Sequence, residues 1–185
     1  MLHACNAVDG TAKKLLPNMS NRARYTRLLR DNYAILGPMG APGIDIEETR
    51  FPVAIIKKPT ASCGAPDIAD VIYTVHRCCH GHGDELPDGF SLLSDVNGPP
   101  RRTRLLVGRE GEVQLSDRII FGLLAVAVLS PANKDQACHR LDPYYLTYGA
   151  TEKLMINGWW GLADLFPAVV AKDPPPAKVK LDFSN

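Results

Sequence analysis

Apolar residues recur at helical spacing through the N-terminal half of the chain. A wholly apolar stretch spans Ile119 to Leu129, and three short extended pieces lie between residues 90 and 115. Together they predict a mainly α protein: a helical bundle with a small β insertion and an extended C-terminal tail. The expected organisation is a single helical domain over residues 1–171, a β-rich insertion at about 90–115, and a Pro-rich tail over 172–185. With 45% apolar residues in 185, the chain can bury a sizeable single core.

The elements follow in order. Leu2 to Leu16 reads as a helix, because Ala4, Ala7, Val8, Ala12, Leu15 and Leu16 fall at helical spacing before Pro17. Asp9 and Lys13, four apart, can pair on its exposed side. Ser20 and Asn21 are N-cap candidates for a second helix, from about Arg22 to Leu36. The run Gly37-Pro38-Met39-Gly40-Ala41-Pro42-Gly43 should stop that helix as a tight loop. No Lys follows its glycines, and its prolines lack amide donors, so it is not a phosphate cradle. Phe51 to Ile56 reads as an extended strand, and Pro59 to Pro66 as loop. Asp67 opens the next helix, in which Ile68, Val71, Ile72 and Val75 make an i, i+3, i+4, i+7 stripe that continues into a histidine- and cysteine-rich end. Phe90 to Leu93, Arg104 to Val107 and Glu112 to Leu115 are strands, the last two joined by a turn at Gly108 to Gly111. Ser116 and Asp117 cap an apolar helix, Arg118 to Leu129, which is either central in the bundle or shared with a second chain. Helices are expected at Thr151 to Asn157 and near Trp160 to Val170. Trp159 and Trp160 read as structural. The tail is either disordered or adds one terminal strand at Val179 to Phe183.

Composition excludes several functions. Lys plus Arg is 21 against 20 for Asp plus Glu, so the chain is not a globally basic nucleic-acid binder. Aromatic residues are only 7%, too few for a stacking platform of many rings. Five cysteines, two of them adjacent, do not make a secreted disulfide scaffold. The expected compartment is therefore the reducing cytoplasm. No apolar run is long enough to cross a bilayer, and the start lacks a signal-peptide pattern, so no membrane partner is expected.

The densest chemistry lies in Val75-His76-Arg77-Cys78-Cys79-His80-Gly81-His82-Gly83. One reading is a helix C-terminus, with imidazoles and Arg77 near the last carbonyls and a glycine as cap. A second is a metal site. His76 and His80 at i, i+4 can face one ion, with Cys63, Cys79 or His82 completing the set, although no C-x-x-C knuckle is present.

The third reading is a resemblance. Arg77-Cys78-Cys79-His80-Gly81-His82, at the end of a mostly apolar helix and followed by Gly-Asp-Glu-Leu, resembles the R-x4-6-H signature of HEPN domains. The resemblance implies a HEPN-like helical bundle and a metal-independent endoribonuclease needing no cofactor, in a toxin–antitoxin or defence role. Arg77 would bind phosphate and His82 would act as acid or base. His80 and Cys78 would support them, with Cys78 standing where active members often carry Asn or Asp. The chemistry is coherent: an imidazole can move the 2′-hydroxyl or 5′-oxygen proton, and a guanidinium can stabilise the phosphate charge. For Arg77 and His82 to meet, the helix should break at Gly81. The resemblance also implies a homodimer pooling two Arg–His sets, RNA as substrate, and an antitoxin or regulatory protein as partner. The family includes inactive members, so a non-catalytic HEPN-like binding or regulatory module is the alternative. A metal-binding structural protein is the third.

Arg22, Arg27 and Arg30 on the second helix, and Arg101, Arg102 and Arg104 before a strand, are candidate RNA-binding tracks. The plain alternative for both sets is a solvated face. His3, Asn6, Gly10 and Lys13 on the first helix could approach the cleft or merely solvate it. Cys138 and His139 carry no assignment.

Overall fold

A computed structural model describes residues 1–94, 103–108, 111–139, 143–149, 151–181 and 183. The protein is mainly helical with two small sheets. Helix α1 (Leu2–Leu15) buries Ala4, Cys5, Val8, Thr11 and Ala12, the stripe its periodicity predicts. Helix α2 (Asn21–Asp31) is capped by Ser20, whose hydroxyl accepts from the Ala23 amide at 3.4 Å. The expected helix to Leu36 is interrupted at Asn32, whose side-chain amide takes the Leu28 carbonyl at 2.9 Å. A new helix, α3 (Tyr33–Gly40), then begins.

The Gly-Pro run therefore does not form the expected loop until Ala41. Gly40 serves helix packing, and only Gly43, with φ 81°, makes a turn. A Cβ on Gly40 would sit 3.0 Å from the Ile119 Cα and 3.2 Å from the Gly122 Cα. Gly40 and Gly122 thus let α3 and α6 (Ile119–Leu129) cross backbone to backbone. That close burial offsets Pro38's missing donor to the Ala34 carbonyl. Helix α6 is central: it packs on both α1 and α3, which accounts for its apolar circumference.

Phe51 to Ile56 is not the expected strand. It is irregular, and it lodges Phe51, Val53 and Ile56 in the core. The following loop is held by a buried ionic network. Arg30 donates to Asp67 from Nε (2.6 Å) and Nη2 (3.0 Å), to Asp70 from Nη2 (2.9 Å) and to the Thr60 hydroxyl from Nη1 (2.9 Å). Asp70 also accepts from the Thr60 and Ala61 amides. Asp67 caps the next helix through the Asp70 amide at 3.0 Å.

That helix is one continuous stretch in three parts: α4 (Ile68–Val71), a π segment (Ile72–Arg77) and α5 (Cys78–His82). The π segment was not expected from the sequence. Strands β1 (Ser91–Leu93), β2 (Leu105–Val107) and β3 (Val113–Ser116) match the expected insertion. Central β3 runs parallel to β1 and antiparallel to β2.

Residues 151–157, expected as a helix, instead supply β5 (Glu152–Met155), which pairs antiparallel with β4 (Tyr145–Tyr148) and is followed by a single 3-10 turn. Local spacing could not distinguish these, since Leu154 is the one buried residue of its strand. The helix expected at 160–170 narrows to a 3-10 turn and α7 (Phe166–Val170).

The tail packs as a strap. Val179 bridges Ile44, donating to the Gly43 carbonyl at 2.9 Å and accepting from the Asp45 amide at 3.1 Å. The Leu181 amide reaches the Thr49 hydroxyl at 3.1 Å, and Phe183 stacks on Phe51.

Candidate functional site

The π segment widens the helix by one residue per turn at the position where the sequence turns from aliphatic to histidine and arginine. Such segments recur at functional sites because they re-aim side chains without ending the helix. Arg77, its last residue, donates from Nη2 to Asp9 of α1 at 2.8 Å. Arg24 of α2 approaches the other Asp9 oxygen at 3.6 Å. The Arg77 and Arg22 guanidinium carbons lie over the Tyr73 ring, 5.6 and 5.5 Å from its centroid. Tyr25 meets the same ring edge-on at 5.3 Å. Asp9 thus turns inward to Arg77 and Arg24, not outward to Lys13 as its spacing suggests.

His82 is exposed and forms no hydrogen bond or ion pair among the described residues. The helix does not break at Gly81. It runs through His82 and ends at Gly83, whose φ of 76° gives the left-handed cap and whose amide returns to the Cys79 carbonyl. Five residues of unbroken helix separate Arg77 and His82 by about 140° around the axis and about 7.5 Å along it. Within one chain, the two residues named by the signature do not share a face.

His80 stacks on His76, with ring centroids 6.1 Å apart, and does not orient His82. His76 is fully buried, and neither ring nitrogen has a partner; His80 Nε2 is likewise buried and unpartnered. Burial, with His80 close by, lowers the His76 pKa to about 4, so the ring is neutral at ordinary pH. Burial also lowers His80. Near Arg77, Asp9 Oδ1 and Arg24 Nε are buried without a hydrogen-bond partner among the described residues, while the Tyr25 hydroxyl has the Cys5 thiol beside it.

All five cysteines are free thiols, with Cys5 buried and Cys78 and Cys79 half-buried. Cys63 is exposed on its loop, where it accepts from Arg50 Nε at 2.7 Å, and this hydrogen bond pushes its thiol pKa down. Among the described residues, no group of three His, Cys, Asp or Glu is placed to hold a metal ion.

The arginine tracks are largely engaged. Arg30 is consumed by Asp67 and Asp70. Arg27 pairs with Asp31 on the open surface, and Arg22 donates to the Lys58 carbonyl at 2.9 Å. Arg101 and Arg102 lie outside the described residues. Tyr25 and Tyr73 join the site without having been singled out from the sequence, Asp9 was expected only to pair with Lys13, and Arg24 belongs to the Arg22–Arg30 track. The i, i+4 spacing of Tyr73 and Arg77 was the available local signal; Asp9 comes from 68 residues away.

Chemically, the cluster offers one guanidinium with unused donors, Arg77 Nη1 and Nε, against an aromatic face. The carboxylate beside it, Asp9, is engaged by Arg77 and Arg24, and His82 lies on another face of the helix. No helix among them is long and apolar enough to cross a membrane.

Fold and site define a mainly α protein with two small sheets and a π-helical arginine–tyrosine–aspartate cluster. A family model described as Rv1289 matches residues 1–185, and the chain belongs to the Rv1289 family. It is 40% identical over 185 residues to the uncharacterized protein Rv1289 of Mycobacterium tuberculosis (strain ATCC 25618 / H37Rv). The same identity holds for the uncharacterized protein Mb1320 of Mycobacterium bovis (strain ATCC BAA-935 / AF2122/97). In both cases the match covers 100% of this chain and 84% of the relative. No solved structure matches.

Proposed function

We propose that this chain is a non-catalytic, HEPN-like binding or regulatory module whose contact surface is the Arg77–His82 end of the helical stretch. One observation carries this reading. Arg77 is held by Asp9 at 2.8 Å over the Tyr73 ring, while His82 points elsewhere on an unbroken helix. A guanidinium so held can still offer one edge to an anion, while the carboxylate beside it is engaged by Arg77 and Arg24 and the imidazole of His82 faces away. RNA and an antitoxin-like regulatory protein are the partners that the HEPN resemblance implies. The five free thiols support a reducing cytoplasmic setting.

The endoribonuclease is the second reading, favoured by the exposed, unpartnered His82. It requires Arg77 of one protomer to meet His82 of another across a homodimer axis, since one chain does not bring them together.

Incubating the purified protein with mixed RNA and excess chelator separates the two. The binding module leaves the RNA intact. Cleavage giving 2′,3′-cyclic phosphate ends, lost in both His82→Ala and Arg77→Ala, would overturn it. In that event, partial recovery of activity on mixing the two variants would establish a composite cleft, and light scattering would report the dimer.

A further inference from the structure

The end of α3, the three-stranded sheet, the start of α6 and the C-terminal strap enclose a cleft of about 490 Å³. This lies within the range of roughly 300–1,000 Å³ found for small-molecule sites. We propose that the cleft binds a small amphipathic anion: an apolar body carrying one carboxylate, with Arg104 receiving the charge.

The walls carry the first half of the proposal. Ile44, Ile68, Leu105, Leu115, Ile119 and Leu181 line the cleft from six separate segments of the chain. Such a lining offers water few hydrogen-bond partners, so an apolar occupant gains both burial and dispersion contacts there. Ile68, Leu115 and Ile119 also belong to the core, which fixes three walls rigidly.

Charge carries the second half. Among the described residues, no acidic side chain lines the cleft, and Arg104 is its one charged lining residue. Arg104 is exposed and forms no ion pair or hydrogen bond among the described residues, unlike Arg27, Arg30 and Arg77. A single guanidinium suits a monoanion; a polyphosphate would call for several cations. The apolar walls are not needed for a bare anion, so a chain or ring must accompany the carboxylate. The site shares no residue with the Arg77–His82 surface, and it stands or falls separately from the function proposed above.

Decanoate, below its micelle concentration, is the probe for the full chain, with decanol, decylammonium and acetate as comparators. Calorimetry and thermal melting should show saturable binding of decanoate, weaker binding of decanol, and none of decylammonium or acetate. Arg104→Gln should weaken decanoate about fivefold, as befits a partly screened charge pair, and leave decanol unchanged. Leu105→Trp should fill the cleft and abolish both. Should that variant fail to fold, Ala177→Trp on the exposed strap serves the same purpose. Absence of saturable decanoate binding, equal binding of decanoate and decanol, or indifference to the filling variants would each overturn the proposal.

Discussion

Arg30 meets Asp67 and Asp70 at the start of the 68–82 helical stretch, and Arg77 meets Asp9 in its π segment. The chemistry is the same, but the surroundings are not. Around Arg30, all four carboxylate oxygens accept hydrogen bonds from the guanidinium, the Thr60 side chain or backbone amides. Around the π segment, Asp9 Oδ1, Arg24 Nε and both nitrogens of His76 are buried without a hydrogen bond among the described residues, and Asp9 Oδ1 has only Arg24 at 3.6 Å. Buried polar groups are nearly always satisfied, and each one that is not calls for a reason. The first cluster is a completed staple that ties α2, the 59–66 loop and the helix together. The second is held by fewer bonds and keeps donors in reserve, as a contact site requires and a staple does not.

The largest effect should come from breaking the staple. Arg30→Met leaves Asp67 and Asp70 buried and unpaired, and should cost about 4 kcal/mol in urea unfolding. His76 comes next. Its folded pKa is about 4 against an ordinary 6.5, so the unfolded chain binds the proton first as pH falls. Its contribution is intact above about pH 6.5, declines from there to pH 4, and the total lost is about 3 kcal/mol. The stability difference between the native protein and His76→Phe, measured from pH 7 to pH 4, should shift by that amount. A pH-independent difference would place His76 among ordinary satisfied core residues. The smallest effect belongs to Arg77→Met. Its pair with Asp9 is about one-fifth exposed on each side, and it should cost only about 1 kcal/mol. If Arg77→Met destabilises as much as Arg30→Met, the contrast between staple and contact site collapses.

Periodicity made α1, α6 and the 68–82 stretch legible, because each has a stripe or a full circumference of apolar residues that helical spacing brings together. The three insertion strands were legible from their alternation and the glycines between β2 and β3. Glycine and proline misled at residues 37–40, where the absence of side chains serves the crossing with Gly122 rather than a turn. The β4–β5 hairpin was missed because β5 buries Leu154 alone, too few positions to show an alternation. At the candidate site, the histidine and cysteine density was visible. The Asp9–Arg77 pair and the Arg30 network were not, since both join residues far apart in the chain. The helix end also moved from Gly81 to Gly83, which two glycines so close together leave undecided by sequence alone.

The π segment has an evolutionary consequence. A helix with one surplus residue can lose that residue and remain a helix. A single-codon deletion between Ile72 and Arg77 would restore ordinary α winding and leave the helix after it on nearly its present bearing. Such a deletion would leave the Ile68–Val71 turn, its Asp67 cap and the directions of His80 and His82 in place while changing which side chains of residues 72–77 meet α1 and α2. The stretch is therefore a point where the lineage can exchange the residues that meet α1 and α2 in one genetic step, without rebuilding the helix on either side.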